Sequence, residues 1–216
     1  MSGSPMNEAM GILAIWNGCA PGREAEFEAW YQGEHLAERI AVPGFLLGRR
    51  YEAVRGTPPY FACYITQSPA VLKSPAYLER LNNPTPLTRG IMSGPFRDAI
   101  RTVCHRSARF GAMRGAVLVT LRFTSPPAAG ALEAAAMELA ADNAVACAEV
   151  WTAASVADFP VSEEEKVRGG DGKIAACLAV ETLRLADAER IADALAAQFP
   201  GAALGIYKLL CEIAPA

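Results

Sequence analysis

The stretch FLLGRRYEAVRGTPPYFACYIT, residues 45–66, decides the fold. It holds two strand-like runs, Phe45 to Val54 and the aromatic, β-branched Tyr60 to Thr66, joined by the turn Thr57-Pro58-Pro59. Helical patterns flank this pair. Ahead of it, REAEFEAWYQGEHLAERIAV (residues 23–42) places Phe27, Trp30 and Tyr31 at spacings of three and four, one face of a helix, and Pro43-Gly44 ends that region. Behind it, residues 69–81 read as a second helix, followed by a proline-punctuated loop. The near-continuously apolar MGILAIWN (residues 10–17) in front and RDAIRTVCH (residues 97–105) behind complete the order β-α-β-β-α-β. That order is the split βαβ plan of ferredoxin-like units.

The second half repeats it. GAVLVTLRFT (residues 115–124) reads as a strand, and residues 128–141 as an alanine-rich helix with Leu132, Ala135, Ala136 and Leu139 on one face. AVACAEVWTA (144–153), residues 173–183 and ALGIYKLLCEI (203–213) read as strands, the first two separated by a long charged loop over 161–172. Asp187 is the expected N-cap of the last helix, with Ala188, Ile191, Leu195 and Phe199 facing inward. A ferredoxin-like unit covers one face of its sheet with helices and leaves the other bare. The expected fold is therefore α+β: two tandem ferredoxin-like βαββαβ units, residues 9–106 and 115–214, joined by a linker at 107–114. Their antiparallel sheets pack on the bare faces as a pseudo-dimer. The alternative is two independent α+β domains on a tether; Phe110 and Met113 in so short a linker favour close association.

Bulk composition sets further bounds. The chain has 216 residues, 52% apolar and 20% charged, with a net charge of -3. That is an ordinary globular balance, with no basic stripe to meet nucleic acid. The leader MSGSPMNEAM has no basic n-region or apolar core, and no apolar run approaches the roughly 20 residues that span a bilayer, so no membrane is expected. Six cysteines without a CxxC pair and two histidines give no metal-ligand spacing, and no cofactor is expected. Cys63, Cys147, Cys177 and Cys211 lie in apolar strand-like runs, where thiols are buried and reduced, as suits a cytoplasmic protein.

Residues 23–42 also carry the candidate chemistry. On an ideal helix, Leu36 and Ile40 fall opposite the Phe27, Trp30 and Tyr31 stripe; Gly33 is the expected place for a kink or break that starts a new inward face. Glu34 and His35 then sit at that break among aromatic neighbours, where shifted pKa values suit acid–base work. The bland alternative is a Glu–His–Arg surface network capping a bent helix. Trp16, Asn17, Arg50 and Tyr64 are candidate pocket residues, although such aromatics more often belong to a core. Arg50, inside an apolar strand, needs a carboxylate or a ligand anion, and Glu34 would serve.

The pattern Trp30-Tyr31, Glu34-His35-Leu36, Arg39, Val42-Pro43-Gly44-Phe45, Arg49-Arg50-Tyr51 resembles the EthD-like branch of the dimeric α/β-barrel superfamily. The motif covers residues 10–105; the second half shares only the element order. The resemblance implies a pocket between sheet and helices for small, often cyclic or aromatic, molecules. Related activities include lactone isomerisation, polyketide cyclisation, cofactor-free oxygenation, and haem binding or degradation. Three functions follow as expectations. The first is a small-molecule enzyme with His35 as acid or base, Glu34 or Arg39 orienting it, and Trp30, Tyr31 and Arg50 holding substrate. The second is a haem-binding protein with His35 as sole axial ligand. The third is a non-catalytic binding or assembly module. A homodimer through exposed sheet edges is open.

Overall fold

The computed structural model describes residues 10–215; residues 1–9, most of the polar leader, and residue 216 lie outside them. Eight strands alternate with helices: β1 (Gly11–Cys19), α1 (Glu24–Trp30), α2 (Leu36–Ile40), β2 (Phe45–Gly56), β3 (Tyr60–Thr66), α3 (Pro75–Asn82), α4 (Pro86–Ser93) and β4 (Phe96–Phe110). There follow β5 (Val117–Phe123), α5 (Ala131–Leu139), β6 (Val145–Ala153), α6 (Glu163–Arg168), β7 (Ala176–Thr182), α7 (Leu185–Gln198) and β8 (Ala203–Ile213). The strands close an antiparallel barrel in the order β1-β3-β2-β8-β5-β7-β6-β4, with β4 returning to β1. In each half the fourth strand lies beside the first, then the third, then the second. The halves meet where β2 pairs with β8 and β4 with β6.

Side chains alternate along each strand between the barrel interior and the outer face. On β1, Ile12, Ala14 and Trp16 point inward while Leu13 and Ile15 point out to the helices. Three cores result: one inside the barrel, and one under the helices of each half. Aromatic rings fill the interior, with Trp16 stacked on Phe61 at 4.6 Å and Trp151 and Tyr207 close by. Truncating one such ring costs about 3–5 kcal/mol. Where β2 ends against β8, Gly56 has φ +92, and a Cβ there would lie 2.5 Å from the Leu204 carbonyl oxygen.

Several expected elements are redrawn. β4 continues to Phe110, pairing Ala108, Arg109 and Phe110 with β6, so residues 107–110 of the expected linker are strand. The helix expected over 69–81 is a 3-10 turn (Pro69–Lys73) followed by α3, divided because Pro75 cannot continue the preceding turn. The loop expected after it contains α4, and the charged loop over 161–172 contains α6. Arg184, not Asp187, is the N-cap of α7; Asp187 sits in its first turn. Cys211 is half-buried, and all six cysteines are free. With every strand paired on both sides, the described residues leave no sheet edge for the edge-to-edge homodimer. No helix among the described residues is long and apolar enough to cross a membrane.

Candidate functional site

Between α1 and α2, Tyr31–His35 forms a π turn. A π turn holds one residue more than an α turn, and each residue of an α-helix turns through about 100°. Everything after Tyr31 is therefore rotated back by about that angle. Leu36 and Ile40, which an unbroken helix would turn away from Phe27, come round to the barrel side, and His35 and Arg39 arrive at its centre. All four are buried. Gly33 lies on the exposed outer side with open space around its Cβ position, so its contribution is weak helix propensity rather than clearance.

His35 and Arg39 line a small cavity of about 20 Å³ between the outer face of β1, β3 and β4 and a roof of α3, α4 and α6. Such a volume accepts about one water. Tyr31, Tyr64, Tyr77, Arg101, Glu164 and Arg168 share the wall. The His35 ring packs 4.2 Å from Trp30 and 5.2 Å from Tyr31, and its Nδ1 is buried with no hydrogen-bond partner. Burial holds its pKa well below 6.5, reinforced by the guanidiniums of Arg39, Arg168 and Arg50. His35 is thus a neutral imidazole at neutral pH. Burial alone would lower the Arg39 pKa, but its ion pair with Glu164 of α6 holds it up. Arg39 Nη1 has no hydrogen-bond partner, and Glu38 at 3.9 Å is beyond reach. Tyr64 Oη is likewise buried without a partner. Burial pushes Tyr64 well above 10 and Tyr31 up to about 12, so both remain phenols able to donate.

Other side chains hold this arrangement from behind. Trp30 Nε1 donates to Thr88 Oγ1 at 2.9 Å, and the Thr88 and Thr85 hydroxyls donate to Glu34 at 2.7 and 2.6 Å. Arg50 makes two 2.5 Å hydrogen bonds to Glu28 and lies 4.1 Å over the Tyr31 ring. Arg168 is held by Asp171 at 2.9 and 2.6 Å and stands 5.5 Å over Phe96. Arg101 donates to Tyr77 Oη at 3.0 Å and makes no ion pair among the described residues.

Of the residues singled out in the sequence, the structure brings Tyr31, His35, Arg39 and Tyr64 to one cavity. Glu34 is elsewhere: its carboxylate is taken up by the two threonines, so it neither orients His35 nor partners Arg50, whose carboxylate is Glu28. Trp16 points into the barrel, because β1 alternates and the cavity is on the other face. Asn17 is buried, donating to the Gly18 carbonyl, and Trp30 and Arg50 stand behind the wall rather than in it. Sequence reasoning missed Glu164 and Arg168. The stretch Ser162-Glu163-Glu164-Glu165 did carry a start signal, since the Ser162 hydroxyl accepts from the Glu165 amide.

An anthrone oxidase-like protein of known structure superposes over 97% of this chain and 94% of its own, with a TM-score of 0.65 and 11% identity. The two share one fold, a closed antiparallel barrel with helices on its outer face. A candidate monooxygenase of Fusobacterium nucleatum matches this barrel over 97% of this chain and 96% of its own, at TM-score 0.58 and 8% identity. A chlorite dismutase variant of Candidatus Nitrospira defluvii, in complex with cyanide, matches it over 94% and 92%, at TM-score 0.52 and 11% identity. No protein-family profile matches the chain, and no curated protein matches it in sequence. The barrel's cavity residues do not fit a haem. A metal-ligating histidine almost always donates its second ring N–H to an acceptor, whereas His35 Nδ1 has none, and three guanidiniums beside it oppose a cationic iron. Among the described residues no group of three or more His, Cys, Asp or Glu is placed to hold a metal.

Proposed function

We propose that this barrel is an enzyme of small organic molecules, of the EthD-like type, that removes a proton from a carbon acid beside a carbonyl or phenol. One observation carries the reading: His35 Nδ1, Arg39 Nη1 and Tyr64 Oη are all buried and unpartnered, and the three residues that carry them line one cavity. Three orphaned polar atoms cost free energy unless a ligand meets them. Neutral His35 accepts the proton, while the Tyr64 phenol and Arg39 guanidinium donate to the enolate oxygen that forms. The new negative charge offsets the cations that hold the His35 pKa down, so protonation of the base and ionisation of the substrate support each other. The resulting carbanion then isomerises, cyclises or reacts with O2 without a cofactor.

The partner is a small organic molecule, and the name of the anthrone oxidase-like neighbour suggests a first probe. Anthrone in D2O should exchange its methylene protons faster with the protein than without it, measured by NMR. His35→Gln should remove the acceleration; equal rates for the two proteins would sink the acid–base reading. Oxygen uptake in the same samples separates oxygenation from isomerisation. We further propose that the chain is a tandem pair of ferredoxin-like units, residues 9–106 and 115–214 about a joint at 107–114, with the site kept by the first. The repeated strand order supports it. Six free thiols, with Cys63, Cys104 and Cys147 pushed up to about 12 by burial, support a reducing, cytoplasmic setting.

A further inference from the structure

The two halves differ most in one connection. Between β2 and β3 the chain needs only Thr57, Pro58 and Pro59; between β6 and β7 it runs through residues 154–175 and carries α6. That longer segment is a strap across the first half's site. Gly172 accepts from the Arg101 amide at 3.0 Å and donates to the Ala99 carbonyl at 2.7 Å, and α6 packs on α3 and α4. The strap walls several spaces at once. The inner cavity shares Phe96, Ala99 and Arg168 with an open groove of about 330 Å³ that reaches Arg97 and Gly170. On another side it shares Arg101 with a small pocket of about 40 Å³ under Phe159 and Pro160. At the first boundary the strap supplies Arg168 and at the second Phe159 and Pro160, while Phe96, Ala99 and Arg101 belong to β4. With the strap lifted the spaces would open together and admit a cyclic molecule that the cavity of about 20 Å³ excludes.

The charges state what such a molecule carries. Arg39, Arg101 and Arg168 face the inner cavity against one lining carboxylate, Glu164. That carboxylate is supplied by the strap and sits on Arg39 Nη2, beside the unpartnered Nη1. We propose that Glu164 occupies the seat of the substrate's own anionic oxygen. An aromatic or cyclic carboxylate, phenolate or enolate displaces it from Arg39 and lifts the strap, joining the spaces around it. A displaced Glu164 has a second partner ready, since its Oε2 already lies 3.8 Å from Arg168 Nη1. A planar anion then meets the Arg39 fork through two parallel hydrogen bonds, a geometry to which guanidinium is suited. This inference rests on the reading of the same cavity given above.

The test uses 2-naphthoate and its neutral counterpart 2-naphthamide, with binding followed by titration calorimetry on the full chain. The native protein should prefer the naphthoate. Glu164→Gln should bind naphthoate at least tenfold more tightly while naphthamide changes less than twofold, and Arg39→Met should abolish the preference. Glu164→Asp, which keeps the charge but shortens its reach, should give an intermediate gain and serves if the glutamine variant does not fold. Unchanged naphthoate affinity in the glutamate variants overturns the inference, as does an equal gain for both ligands, which means the strap has merely loosened. The two readings fail separately. If His35→Gln abolishes anthrone exchange while the glutamate variants leave naphthoate binding unchanged, the displaced-carboxylate inference alone falls. If the naphthoate shifts appear while His35→Gln exchanges like the native protein, the anion seat stands and the acid–base reading falls.

Discussion

Replacing His35 by Gln should remove a measurable part of the protein's acid sensitivity. The His35 pKa lies well below 6.5 in the folded chain, chiefly because burial disfavours the imidazolium. In the unfolded chain the imidazole titrates near 6.5. Below that pH the unfolded state takes up a proton that the folded state refuses, so stability falls as pH falls, at a slope approaching about 1.4 kcal/mol per pH unit. Integrated from pH 7.5 to pH 5.5, one such histidine removes about 1.4 kcal/mol. The window is clear of the buried carboxylate Glu181, whose pKa is lowered from 4.5 and whose stabilising effect is lost only below that value. Urea unfolding followed by tryptophan fluorescence at both pH values should show the native protein losing about 1.4 kcal/mol more than the variant. At a typical slope of 2–3 kcal/mol per molar urea, that is about half a molar in the midpoint. Parallel losses in the two proteins would refute the reasoning, as would an NMR titration placing the His35 pKa at or above 6.5.

Arg39→Met should cost about 3–5 kcal/mol, because it leaves the Glu164 carboxylate buried without its main partner, and adding Glu164→Leu should recover most of the loss in a double-mutant cycle. Gly33→Ala should stabilise by about 0.5–1 kcal/mol, since the position is exposed with open space at Cβ; a lowered Tm would mean that the π turn needs glycine's freedom. Gly56→Ala should cost about 2 kcal/mol or more, because φ +92 and the Leu204 carbonyl at 2.5 Å both oppose a Cβ; thermal unfolding at native stability would contradict that.

Much of this architecture was legible because strands announce themselves locally. Tyr60 to Thr66 and Ala203 to Ile213 could be bounded from residue type and turn signals alone, and both strands form over those residues. Gly33 marked where the first helix changes face, although periodicity could not say that the change is a π turn. α4 was hidden by Pro84 and Pro86, which read as loop punctuation; yet Pro86 is the first residue of the helix and the Thr85 hydroxyl accepts from the Thr88 amide. The site was legible only in part. Tyr31, His35 and Arg39 share one helical stretch, so spacing groups them. Glu164 lies 125 positions from Arg39, and only the path of the strap brings the two together. Glu34 misled because adjacency to His35 in sequence places it on another side of the helix, facing Thr85 and Thr88.

The closure of the barrel has a consequence for how the protein is made. β2 finds its second neighbour only in β8, the last of the eight barrel strands. At ribosomal rates of roughly 5–20 residues per second, the span between them takes on the order of ten seconds to emerge. For that interval the first half carries β2, and until β6 emerges β4 as well, with unsatisfied ladders, able to template pairing with a neighbouring nascent chain. Losing β8 to a premature stop would leave β2 and β5 bare for good, so truncated products should be sticky and should call heavily on chaperones, whereas the closed barrel of the described residues offers no strand edge to join.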